Sequence, residues 1–150
     1  MEVRIVVDEN IKNTQIVIRC TKIDDKIVEL KQKIESFNDY LTLQKDGSEY
    51  KINLHEIIFI ESQGNNIYVH TKNDCYRYKS RMYELENILP KNFIRISQSA
   101  IVNADAVSSI TKSITSSSLI EFKRTHKKIY ASRRYIKEAE KKIFERKSMN

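Results

Sequence analysis

The 150-residue chain is poor in the residues that mark several large protein classes: it has two glycines, one proline, two cysteines and no tryptophan. A phosphate cradle of the P-loop or dinucleotide-binding type needs several glycines at fixed spacing, so two glycines exclude it. Scarce Gly and Pro also exclude collagen-like and low-complexity chains. Cys20 and Cys75 lie far apart with no CxxC pair and no histidine cluster, which argues against a zinc site or a disulfide framework. No run of 18 apolar residues occurs, and Glu2, Arg4 and Asp8 interrupt the first short alternation. Neither a membrane span nor a secretory leader is expected, and the cytoplasm is the expected compartment. The length suits one sizeable core with a small appendage.

What the chain does have is cationic charge at one end. Lys and Arg total 27 against 20 acids, for a net charge of +7. Residues 1–45 hold 8 basic and 8 acidic side chains, and residues 46–120 again hold 8 and 8. The last thirty residues hold 11 and 4, so the whole excess is a local patch that suits a polyanionic partner. Catalysis leaves no comparable trace. His55, His70 and His126 stand singly, without a carboxylate, Cys or Ser at triad or ligand spacing. No catalytic residue, metal, cofactor or small-molecule substrate is expected.

Along the chain, Val3, Ile5 and Val7, then Ile16, Ile18 and Cys20, alternate with polar neighbours and predict an opening hairpin. Thr21, three residues before Asp24, predicts a capped helix start, and Ile23, Ile27, Leu30, Ile34, Phe37 and Leu41 follow at helical spacing. That seam fits a helix lying on its own hairpin or one pairing with its copy. Residues 1–42 thus read as a small β-β-α arm, a candidate for dimerisation or regulation, and residues 43–150 as the main domain. Asp46-Gly47 between alternating runs predicts a tight hairpin. Short strands are expected at 41–43, 50–54, 57–60, 67–71, 75–78, 93–96, 100–102, 107–110, 119–122 and 129–131. Ser80 is the expected cap of a short helix that ends at Pro90, and Ser132 opens the last helix. The fold class is mostly β (α+β), antiparallel, with short helices.

Arg133 and Arg134 stand in the first helical turn, where the macrodipole favours acids, so a bound phosphate would compensate them. The free N–H groups and the Ser132 hydroxyl could join such a contact. Two polar segments lie between strands: 61–66, Glu-Ser-Gln-Gly-Asn-Asn, and 97–99, Ser-Gln-Ser. Amides can read adenine bidentately, and Ser can bond to phosphate or base, although turns favour these residues for backbone reasons alone.

Several motifs occur together in one order: Ile58-Phe59-Ile60-Glu61-Ser62, Gly64-Asn65, Ile67-Tyr68-Val69-His70-Thr71, Tyr83-Glu84-Leu85-Glu86, Leu89-Pro90, 92–99, Ile101-Val102-Asn103 and Tyr130-Ala131-Ser132-Arg133-Arg134-Tyr135. Over residues 43–142 the chain resembles a LytTR-type DNA-binding domain. The resemblance implies antiparallel sheets that present loops to successive major grooves of double-stranded DNA. It implies contacts from Asn65 and Asn66, from Ser97, Gln98 and Ser99, and from Arg133, Arg134 and Lys137. About 42 residues precede the domain, too few for a receiver fold, so the chain is similar to free-standing LytTR transcriptional regulators. Those are often held in check by a small membrane-protein inhibitor. The expected function is sequence-specific regulation of transcription by a homodimer without enzymatic activity. An RNA-binding β module and a protein-docking module are the alternatives.

Overall fold

A computed structural model describes residues 1–12, 14–35 and 39–149. The chain divides into two compact units, 1–35 and 36–150.

The described residues of the second unit form ten strands: β1 (Tyr40–Lys45), β2 (Ser48–Asn53), β3 (Ile57–Gln63), β4 (Asn66–Thr71), β5 (Cys75–Tyr78), β6 (Phe93–Ser97), β7 (Ala100–Asn103), β8 (Val107–Thr111), β9 (Ser118–Phe122) and β10 (Lys128–Ala131). Each lies where an alternating or apolar run predicts it. Seven form one sheet in the order β2-β1-β5-β4-β3-β7-β6, and β10-β9-β8 form a second. All pairings are antiparallel. The β1–β2 turn has Asp46 at φ 51° and Gly47 at φ 79°, as a type I′ hairpin requires.

β3 shows why its apolar run is unbroken. Ile57, Ile58, Phe59 and Ile60 are all buried, because a register shift between Ile57 and Phe59 breaks the simple alternation. Ile57 and Ile60 enter one core with Leu43, Val69 and Leu85 of helix α2 (Met82–Ile88). Ile58 and Phe59 enter the other with Val102, Ile120 and Phe122, capped by Ala139 and Ile143 of helix α3 (Arg133–Met149). The large sheet is therefore covered on both faces, and α3 is anchored by a fully buried Ile143, worth roughly 2–5 kcal/mol against truncation to Ala. Asn103, 2% exposed, joins the layers at the foot of β7: its amide donates to the Ile57 carbonyl (2.9 Å), and its oxygen accepts from the Asn92 amide (3.0 Å) and the Asp105 N–H (3.1 Å).

Four expectations change. Among the described residues of the first unit there is a helix, α1 (Asp25–Glu35), but no strand. Val3, Ile5, Val7 and Ile16 are exposed, and an isolated two-stranded hairpin without a packed face is marginal in water. The α1 cap is Asp24, whose carboxylate accepts from the Ile27 N–H (3.0 Å), rather than Thr21. Of the apolar seam, Leu41 lies in β1 and Phe37 falls outside the described residues. Finally, Arg81 rather than Ser80 precedes the first turn of α2.

Candidate nucleic-acid interface

The two polar segments are shorter as loops than their composition suggests. β3 continues to Gln63, which pairs with Asn66, so only Gly64 and Asn65 form the β3–β4 turn. Gly64 sits at φ 60°, the left-handed conformation that a tight turn asks of its first central residue. Likewise Ser97 pairs with Ala100, leaving Gln98 and Ser99 as the β6–β7 turn. Because β3 and β7 are neighbours, with Glu61 opposite Ala100, these two tips stand side by side. The Ser62 N–H donates to the Ser99 carbonyl (2.8 Å) and ties them. The start of α3 joins the same edge through the Ser132 N–H, which donates to the Ile96 carbonyl (2.9 Å). Two backbone hydrogen bonds thus gather three segments that are 30 or more residues apart in the chain.

Asn65, Gln98, Ser99, Arg133, Arg134 and Lys137 are exposed on this edge, while Asn66 and Ser97 are half-buried. Ser97 supports its own turn, its Oγ accepting from the Ser99 N–H (3.2 Å). The Asn66 oxygen is engaged by the Arg77 guanidinium. Composition did not single out Arg77, because it lies in a stretch of balanced charge. It is nevertheless exposed, and β5 carries it toward the same end, with Tyr78 opposite Ile67 at the start of β4. Its alternation within Cys75-Tyr76-Arg77-Tyr78, outward between inward tyrosines, was the available clue.

Arg95 braces the β6–β7 turn from beneath. Its Nε donates to the Ser97 carbonyl (2.7 Å), one terminal nitrogen donates to the Gln98 carbonyl, and the other pairs with Glu86 of α2 (2.7 Å). A planar fork that satisfies acceptors on different sides is a task for Arg rather than Lys. This arginine positions the tip that carries Gln98.

At α3, the first turn contains no acid, and among the described residues no carboxylate lies within ion-pairing distance of Arg133, Arg134 or Lys137. Three cations therefore converge on a helix start whose N–H groups lack intrahelical partners. Ser132 departs from expectation. Its hydroxyl oxygen is enclosed and unbonded, because the backbone bond to Ile96 turns the side chain inward, so it does not face a ligand with the arginines.

A half-buried histidine lies at the other end of β4. His70 stacks on Phe59 (centroids 4.2 Å apart), with Nε2 3.0 Å from Glu61 Oε1 and Nδ1 3.4 Å from Lys127 Nζ. Burial pushes its pKa below the ordinary 6.5 more strongly than the Glu61 hydrogen bond raises it, and the Lys127 ammonium adds to the depression. A neutral ring donating from Nε2 and accepting at Nδ1 satisfies both neighbours. Burial also lowers the Lys127 pKa. Among the described residues, no group of His, Cys, Asp and Glu could hold a metal ion, and no helix is long and apolar enough to cross a membrane.

Comparison with known proteins agrees with this architecture. Residues 47–144 match the family model described as the LytTr DNA-binding domain. An HTH-type transcriptional regulator of Staphylococcus aureus strain NCTC 8325 is 28% identical over 145 residues, covering 95% of this chain and 98% of that protein. A regulator of the same description from strain MSSA476 is 30% identical over 138 residues, covering 89% and 93%. A solved LytTr DNA-binding domain from Bacillus cereus superposes with a TM-score of 0.65 at 22% identity, over 71% of this chain and 97% of its own. With most of its second unit matched by the family model, the chain belongs to the LytTR family of DNA-binding domains.

Proposed function

We propose that the protein is a sequence-specific, non-enzymatic regulator of transcription that reads duplex DNA in the cytoplasm with its edge of hairpin tips. The observation that carries this reading is the pair of backbone bonds, Ser62 to Ser99 and Ser132 to Ile96, that brings the three polar segments together. Relatives of nearly the same length named as transcriptional regulators support the regulatory part. Two-residue tips are narrow enough to enter a major groove about 12 Å wide. The Asn65 and Gln98 amides can each donate and accept, which suits adenine, and Ser97 and Ser99 can bond to base or phosphate. Arg134 reads a guanine edge in the adjoining groove. Arg133 and Lys137 neutralise phosphates, while Asn66, held by Arg77, sets the base of the first tip.

The arm is assigned to pairing with a second copy. Val3, Ile5, Val7 and Ile16 are exposed apolar side chains, and Ile27, Leu30 and Ile34 line one side of α1, a pattern that asks for cover. Sedimentation at micromolar concentration is expected to show a homodimer. A monomer would instead give the arm to another partner, such as a small membrane-protein inhibitor.

The test is selection of bound duplexes from a random pool, followed by fluorescence anisotropy on the selected site. Arg134→Ala is expected to weaken cognate binding by about 1–3 kcal/mol, roughly 5- to 150-fold, and to relax preference at one position. A folded Arg134→Ala protein that binds cognate and scrambled duplexes as the wild type does would refute the assignment.

A further inference from the structure

The opposite end of the second unit carries cations that DNA reading by the tips does not use. There the β4–β5 turn meets the β9–β10 turn: the Thr125 hydroxyl donates to the Lys72 carbonyl (2.9 Å) and Lys127 Nζ to the Asp74 carbonyl (2.6 Å). The joined turns form an open cleft lined by Lys72, Asn73, Arg124, Thr125, His126 and Lys127. Lys127 is half-buried and acts as a bolt, whereas Lys72, Arg124 and His126 are exposed. Among the described residues, neither Lys72 nor Arg124 has an ion-pair partner. Arg124 also sits at φ 59°, a left-handed conformation that Gly or Asn adopts at much lower cost. An arginine kept at a strained turn position, in a cleft whose framework is hydrogen-bonded, is an outlier that points to a role for its side chain.

We propose that this cleft grips the phosphate backbone of a second DNA segment, so that one copy of the domain bridges two duplexes. Its lining favours this occupant. A protein partner would need an apolar centre, and a small-molecule pocket is mostly apolar, yet none of the six lining side chains is apolar. Geometry separates it from the tips. β4 runs from Asn66 at the tip end to Thr71 beside the cleft, six residues or roughly 20 Å of strand, so a straight duplex lying on the tips does not reach it. Two or three phosphate contacts make a weak, sequence-independent grip with a salt slope of about −2 to −3. The grip becomes effective when both segments belong to one DNA molecule and their local concentration is high.

The test uses the full chain on bead-bound selected duplex and measures capture of a second, fluorescent duplex of unrelated sequence at low salt. The wild type is expected to capture it, and Lys72→Ala/Arg124→Gly to lose at least tenfold of that capture. Arg124→Gly removes charge at a position where glycine relieves the backbone, so loss of capture cannot be ascribed to unfolding, and the thermal midpoint is expected to hold. Retention of the protein on the bead is read separately and is expected to stay within about twofold. Should the tips not bind DNA at all, the cleft alone would retain the protein, and the double variant would then abolish retention itself. The proposal is overturned if the wild type captures no second duplex. It is equally overturned if the double variant captures as much as wild type, the result given by a dimer whose two copies each hold one duplex by the tips.

Discussion

Replacing Arg95 by Ala tests whether the β6–β7 tip owes its shape to a side chain beneath it. The guanidinium holds two turn carbonyls, of Ser97 and Gln98, and the Glu86 carboxylate, with about a quarter of the Arg95 side chain exposed (26%) and 42% of Glu86. The carbonyls lie near solvent and regain water when the side chain goes, so each bond is worth about 0.5–1 kcal/mol rather than its full strength. The partly exposed ion pair contributes about 0.5 kcal/mol. The expected loss is about 2 kcal/mol, a midpoint drop of roughly 6–10 °C for a domain of this size. Cognate DNA affinity is expected to fall with it, about 3- to 10-fold, as Gln98 loses its fixed position. Arg95→Lys recovers less than half, because one ammonium cannot serve three acceptors in a fork. Glu86→Gln costs only the ion pair. The variants are read by thermal and urea unfolding and by fluorescence anisotropy on a selected duplex. An Arg95→Ala protein with an unchanged midpoint would refute the bracing role. A loss of affinity at unchanged stability would mean instead that Arg95 itself touches DNA.

Other expectations follow from the same geometry. Asn103→Leu strands the buried Ile57 carbonyl and removes the acceptor for Asn92 and the Asp105 N–H, so unfolding free energy is expected to drop by about 2–4 kcal/mol in urea titration. Gly64→Ala meets no atom within 4 Å, so its cost is purely conformational, about 1 kcal/mol, measurable as a midpoint shift with little change in fold. His70 has its folded pKa below the unfolded 6.5, so the unfolded state takes up the proton more readily. Stability is therefore full above that value and declines as pH falls from about 6.5 toward the folded pKa. His70→Gln is expected to flatten the thermal midpoint between pH 7 and 5.5, and a wild type already flat there would contradict the burial argument. Neutralisation of three to five phosphates by Arg133, Arg134, Lys137 and neighbouring cations predicts a salt slope of about −3 to −5 in log–log titration.

Much of the fold was legible because most strands half-bury one face while β3 and β7 bury unbroken apolar runs, so all ten announced themselves as short apolar or alternating runs bounded by turn residues. The order of pairing was not legible, since nothing in Ile67 to Thr71 states that β5 rather than β2 lies beside it. The same alternation misled at residues 3–7 and 16–20, where no sheet supplies the partner that makes a pattern into a strand. At the candidate site, residue type singled out Asn65, Gln98 and Arg134, all of which the fold leaves exposed. Composition overstated the loops, however, because the ladder runs on through polar Glu61, Ser62 and Gln63. The inward turn of the Ser132 hydroxyl goes with a backbone bond to Ile96, and the tie between Asn66 and Arg77 spans 11 residues, while the brace at Arg95 joins Ser97, Gln98 and Glu86 only once the β6–β7 turn and α2 have folded around it. Short-range pattern does not encode those contacts.

Backbone amide chemical shifts during titration with a selected duplex report whether the two hairpin tips and the start of α3 form one DNA-reading edge. The largest changes are expected at 64–66, 97–99 and 132–137, appearing together at one affinity. Changes confined to α1 and the rest of the arm, or a tip set that stays silent while the last helix responds, would contradict it.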